Sequence, residues 1–217
     1  MSSNNIVRGS KKYIQLVINK KPSIIQNNLK FNDQIKWVSP LKKDNYKEYW
    51  DSRFLKELGL DKLQYKLGEF WPRGGAHWDA LGKSKEAVFI VEAKAHITEQ
   101  MSGPSKAKAE KSIKLISKSL NEVKQFLGVE KTVNWMKSTY YQYANRLAHL
   151  YFLREWNKID AHLLFIYFLN DDTVDPVKSE KEWRRAIEQV HAELGLSKKF
   201  ELKQYVHELF IDVNDLK

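Results

Sequence analysis

Apolar residues recur along this chain with two periods, and the switching between them predicts an α/β protein. The densest run, Ala87 to Ala95 (AVFIVEAKA), is apolar at consecutive positions until Glu92. Such a run marks a central strand covered on both faces. Ala161 to Leu169 has the same length and character. Shorter strands are predicted over Tyr13 to Ile18, Leu63 to Phe70, Ala76 to Leu81 and Tyr205 to Val213. Pro72, Gly74 and Gly75 turn the chain into the 76–81 strand, and Gly82-Lys83-Ser84-Lys85 turns it out again. The helical period appears elsewhere. Tyr46 to Leu58 reads as a helix with Tyr49, Phe54, Leu55 and Leu58 inward and Gly59 near its end. Ile113, Ile116, Leu120, Val123 and Leu127 fall 3, 4, 3 and 4 residues apart, a buried stripe ended by Gly128. Thr132 to Trp156 is a further predicted helix with Met136, Tyr140, Tyr143, Leu147 and Leu150 inward, and Glu180 to Leu194 another, capped near Gly195. Residues 1–12 are polar and expected to be mobile. Residues 20–45, broken by Pro22 and Pro40, are expected to be irregular, and Asp171 to Pro176 a loop.

The order helix, three strands, helices, strand, helix, strand predicts a mixed central sheet flanked by helices. A length of 217 residues suits one domain spanning 1–217, with a core over about 46–169 and a C-terminal helix and strand reaching 213. There are no cysteines, which excludes disulfides and Cys-ligated zinc or iron–sulfur centres. Any metal must sit on carboxylates, histidines or carbonyls, and oxygen ligands favour magnesium, manganese or calcium. No run reaches the ~18–20 apolar residues of a membrane span. The N-terminus lacks the apolar stretch of a signal peptide. The expectation is a soluble cytoplasmic protein with no membrane partner. The excess of 37 Lys and Arg over 27 Asp and Glu, a net charge of +10, points to a polyanionic partner, nucleic acid foremost.

An acidic residue inside an apolar strand needs a compensating partner, because burying an ionised carboxylate is costly. Strand side chains alternate, so Glu92 and Lys94 emerge on one face, and His96 joins them if the strand continues. A hairpin between 76–81 and 87–95 brings Asp79 towards Glu92. Two carboxylates and an ammonium suit phosphodiester hydrolysis, with Mg²⁺ (or Mn²⁺) on Asp79 and Glu92 and Lys94 stabilising developing charge. An equally available reading is a buried structural Glu92–Lys94 ion pair, or a strand edge where both meet solvent.

Asp79 followed by Glu92-Ala93-Lys94 resembles the motif of the PD-(D/E)XK, or restriction-endonuclease-like, nuclease superfamily. The predicted element order over residues 46–169 is similar to that family's core, with one additional helix. Phe70-Trp71-Pro72, Trp78-Asp79-Ala80-Leu81-Gly82, Val91-Glu92-Ala93-Lys94-Ala95-His96 and Tyr141-Gln142-Tyr143-Ala144-Asn145-Arg146-Leu147-Ala148-His149 further resemble an uncharacterised bacterial group within it, across roughly residues 37–195. The resemblance implies a magnesium-dependent nuclease, with Asp79 and Glu92 as metal ligands and Lys94 as catalytic lysine. Trp78 stands where the family has proline. A helix glutamate that assists the site in many members has two candidates, Glu57 and Glu48. The Gln-x3-Tyr of exonuclease-like members is matched at Gln142 only, with Arg146 in place of the tyrosine.

Other positions are candidates for supporting roles. Gln142, Arg146 and His149 share one helix flank, which either faces the site, with Arg146 a candidate nucleic-acid contact, or is a polar boundary with ordinary hydrogen bonds. Arg73 precedes Asp79 in the turn and is a candidate phosphate contact, whereas His77 and His96 read more readily as structural histidines. Lys108, Lys111, Lys114 and Lys118 form a basic stripe that either tracks a phosphate backbone or is a solvated helix face. DNA is the expected nucleic acid. The competing readings are a non-catalytic nucleic-acid-binding module of the same fold and an enzyme acting on another phosphate substrate. The sequence leaves open whether two copies pair as a homodimer.

Overall fold

A computed structural model describes residues 8–29, 31–130, 132–172 and 176–217. Its centre is a five-stranded mixed sheet made by β1 (Lys36–Ser39), β4 (Ala80–Lys83), β5 (Val88–Lys94), β6 (Ala161–Leu169) and β7 (Val206–Asp212), side by side in that order. The first two pairings are antiparallel and the last two parallel. Parallel neighbours need a crossover. Between β5 and β6 it runs through α5 (Glu110–Phe126) and α6 (Tyr141–Tyr151), and between β6 and β7 through α7 (Glu180–Leu194). β5 and β6 are buried along almost their whole length, as their unbroken apolar runs predict. A separate two-stranded ribbon pairs β2 (Tyr49–Trp50) with β3 (His77–Trp78).

Each sheet face has its own core. One packs Ile14, Val17 and Ile18 of α1 (Gly9–Lys20) and Ile25 of α2 (Ser23–Leu29) against Phe89, Val91 and Ala93. The other packs α3 (Arg53–Leu58), α4 (Gln64–Phe70), α5, α6 and α7 over Val88 and Ile90. Helix α7 follows its predicted bounds: Ser179 caps the amide of Glu182, and Gly195 ends it at φ 67°. Among the described residues, no helix is long and apolar enough to cross a membrane.

Several short elements depart from the pattern reading. Residues 13–18 are helical, inside α1, because Tyr13, Ile14, Val17 and Ile18 make a helix stripe that six residues alone do not distinguish from a strand. The expected mobility of residues 1–12 is corrected for Gly9 to Lys12, and residues 1–7 lie outside the described residues. Residues 20–45 hold α2 and β1. Pro22 does not block α2, since it precedes the first turn and its carbonyl accepts from Gln26. Left-handed Asn45, Tyr46 and Asp51 (φ 53°, 56° and 54°) restrict the Tyr46–Leu58 helix to α3. The 63–70 strand is α4, held by Leu67 and Phe70 three residues apart. Gly82 extends β4 instead of turning, paired with Trp37 on one side and Phe89 on the other, and glycine is needed there because a Cβ would lie 2.8 Å from Ile35 Cγ2. The Thr132–Trp156 helix begins only at Tyr141, after turns anchored by Trp135 Nε1 donating 2.8 Å to the Leu194 carbonyl. It ends in a π-helical turn, Phe152–Trp156. Ile113 of the predicted stripe is exposed. Of the Asp171–Pro176 loop, residues 173–175 lie outside the described residues.

Candidate active site

Asp79 sits where the predicted 76–81 strand divides. Its amide donates 3.1 Å to the Val91 carbonyl, continuing the β4–β5 pairing. Its Oδ2 then accepts the Ala93 amide at 2.7 Å. The carboxylate thus serves the Ala93 amide, and β3 leaves to pair with β2. That break turns a surface hairpin into a carboxylate fixed beside the end of β5.

Glu92 and Lys94 project on one face, as alternation predicts. Lys94 Nζ donates to Glu92 Oε1 at 2.5 Å and to Gln142 Oε1 at 2.7 Å. Arg146, one turn after Gln142 on α6, donates to Glu92 Oε2 from Nε at 2.7 Å and approaches it from Nη2 at 2.6 Å. The same Nη2 donates to the His77 carbonyl at 2.6 Å, and Nη1 donates to Asn145 Oδ1 at 3.0 Å. The guanidinium also lies 4.8 Å from the Trp78 ring centroid. Glu92 and Arg146 are only 2% and 3% exposed, so this pairing is screened little by solvent.

The two carboxylates respond in opposite senses. Burial raises the Glu92 pKa, but Arg146 and then Lys94 outweigh it and hold the carboxyl below its ordinary value. Asp79 is pushed up to about 8, first by burial and then by Glu92, against the opposing Ala93 amide, Lys94 and Arg146. No hydrogen bond among the described residues reaches Asp79 Oδ1. A carboxylate with a free oxygen and a raised pKa beside a second carboxylate fits a divalent cation, which would relieve the repulsion between them. Asp79 and Glu92 are a sufficient protein donor set for Mg²⁺, which keeps most of its waters. Among the described residues, no group of three or more histidines and carboxylates is arranged to hold a metal, so these two would act with water. Arg146 is the feature that counts against a tightly held ion, since it already compensates Glu92.

The remaining candidates separate. β5 ends at Lys94, so His96 escapes the alternation and pairs instead with buried Asp171 at 2.9 Å; Asp171 also accepts from Tyr13 at 2.7 Å. Its place beside Glu92 and Lys94 is therefore corrected. Glu57 of α3 offers its carbonyl to Lys83 at 3.2 Å, and Glu48 pairs with Lys11 at 2.9 Å; neither contacts the trio among the described residues. His149 is buried among Phe54, Trp71 and Trp78, and burial lowers its pKa to about 4. His77 is exposed and stacks on Trp50. Arg146, expected at a nucleic-acid surface, is buried on Glu92. Sequence reasoning missed this pairing, although the four-residue spacing of Gln142 and Arg146 matches the two-residue spacing of Glu92 and Lys94 across the interface.

Gln142, Arg146 and His77 also line a cleft of about 560 Å³ between the 71–77 turn and the 102–109 segment. Its basic residues include Arg73, Lys106 and Lys108, and among the described residues no acidic side chain lines it. Lys111, Lys114 and Lys118 lie exposed outside this lining, and Lys114 pairs with Glu110 at 2.5 Å. A scan against protein-family models, a search of curated proteins and a search of solved structures each returned no match.

Proposed function

We propose that this chain is a magnesium-dependent nuclease, with a restriction-endonuclease-like sheet and DNA as its expected substrate. The observation that carries the reading is Asp79 with its free oxygen beside Glu92 and Lys94, next to a cleft lined by cations and no acid. Asp79 and Glu92 would hold the ion, which supplies Lewis acidity towards the scissile phosphate. Gln142 and Glu92 hold the Lys94 ammonium in place, where it stabilises charge building on the phosphate without reorganising. Arg146 fixes the Glu92 rotamer from the opposite side. Arg73, Lys106 and Lys108 contribute phosphate contacts. The test is cleavage of DNA and RNA by the purified chain with Mg²⁺ or Mn²⁺. Lys94→Ala is expected to abolish cutting with an unchanged circular dichroism spectrum; equal rates in the two proteins would refute the assignment.

One observation favours a second reading, a non-catalytic nucleic-acid-binding module. Arg146 and Lys94 already neutralise Glu92 without a metal. Calorimetry with Mn²⁺ separates the two. Salt-dependent DNA binding with no metal uptake by wild type supports the module, and uptake that is lost in Asp79→Asn supports the nuclease.

A further inference from the structure

We infer that the cleft receives a single unpaired strand, with the His77 ring as the platform on which one base stacks; this rests on the nucleic-acid reading above. His77 and Trp50 are direct cross-strand partners in the β2–β3 ribbon. Their rings are parallel, 5.0 Å apart and tilted by 5°. Arg53 lies 4.9 Å from the centroid of the Trp50 ring. His77 is nevertheless exposed and lines the cleft. One flat side is backed by Trp50, and among the described residues no second ring stacks on His77.

The platform is rigid and close to the chemistry. The His77 carbonyl accepts from Arg146 Nη2, the same group that approaches Glu92 at 2.6 Å. A base on His77 therefore sits at a fixed remove from the carboxylates. The opposite demand, a track for the backbone, is met by Arg73, Lys106 and Lys108, none of which has an ion-pair partner among the described residues. A basic groove combined with an aromatic platform is the arrangement that holds single strands irrespective of sequence. Size agrees. At about 560 Å³ the cleft falls in the range of about 300–1,000 Å³ that encloses a small ligand. That volume suits a nucleotide or two of one strand.

The experiment is fluorescence anisotropy in EDTA, where a metal-dependent activity is silent. It uses the full chain and three labelled probes of equal length: oligothymidylate, its fully abasic counterpart and a blunt duplex. Wild type is expected to bind oligothymidylate about tenfold or more tighter than the abasic chain, in keeping with base stacking of about 1–3 kcal/mol, and tighter than duplex. His77→Ala should reduce oligothymidylate to the abasic affinity, and His77→Phe should keep the preference. Arg73→Ala and Lys106→Ala should weaken the thymidylate and abasic probes alike and lower the salt slope by about 0.7 per charge. Equal affinity for thymidylate and abasic chains, preference for duplex, no binding at all, or a base preference that survives His77→Ala would each overturn the inference. Base-dependent binding without cleavage on adding Mg²⁺ removes the nuclease reading and leaves this one standing. Duplex cleavage without base preference does the reverse.

Discussion

Phe89, Val91 and Ala93 leave β5 towards α1, where they meet Ile14, Val17 and Ile18 in a mainly apolar layer, with His162 stacked on Phe89 at its margin. Val88, Ile90, Glu92 and Lys94 leave it on the other side, and the last two meet Gln142 and Arg146 of α6. Glu92 is about as buried as Val91. The two faces therefore obtain their order differently. The apolar face depends on area removed from water, which is non-directional and tolerates small changes of shape. The charged face depends on a closed set of partners, in which removing one member leaves another buried and uncompensated.

The largest expected effect lies on the charged face. Lys94→Ala should lower the rate on an oligonucleotide with Mg²⁺ by about 10²–10³-fold or more, the loss typical of one preorganised charge-stabilising donor. Its urea midpoint should move less than that of Glu92→Ala, since Arg146 still compensates Glu92. Glu92→Ala tests the asymmetry directly. It leaves Arg146 buried without its carboxylate and should cost about 3–5 kcal/mol in urea denaturation. A cost below about 1 kcal/mol would show that the pair is not a closed unit.

On the apolar face, Val17→Ala removes two buried methyl groups and should cost about 1–3 kcal/mol, with turnover unchanged. A loss of turnover there would break the separation between the faces. The last test concerns Asp79 and is read as a pH dependence. Its carboxyl stays protonated in the folded chain up to about pH 8, against an ordinary value of 3.8 once unfolded. Between those values the folded state binds the additional proton, so stability falls as pH rises through the window. Asp79→Asn removes that dependence. The gap in melting temperature between Asp79→Asn and wild type should be larger at pH 9 than at pH 5, measured by thermal denaturation without metal. A lower melting temperature at pH 9 would show that Asp79 is a net stabilising carboxylate.

How far each part was legible follows from the range of the interactions involved. β5, β6, α7 and β7 were readable because each is long enough to display its period several times and is bounded by turn or cap residues. Residues 13–18 and 63–70 were not, because a stretch of six to eight residues satisfies a strand and a helix alike until its neighbours choose. The Thr132–Trp156 segment has a helical stripe, yet its first nine residues follow the demands of Trp135 on the end of α7. In the site, the shared face of Glu92 and Lys94 was a local consequence of alternation. His96 failed the same rule because β5 stops at Lys94 and Asp171 supplies a better partner.

What this sequence determined by itself is therefore local and periodic. It set the buried central strands, the common side of Glu92 and Lys94, the absence of thiol chemistry and the basic balance of charge. The tertiary structure alone decided that Asp79 would cap the Ala93 amide, that Arg146 would be buried on Glu92, and that Arg73, Lys106 and Lys108 would share one acid-free cleft. The reason is distance along the chain. Arg146 is 54 residues from Glu92, and nothing in the periodicity of either element states that the two must meet. Only the packing of α6 on the sheet, with the cost of leaving either charge alone in the interior, brings them together.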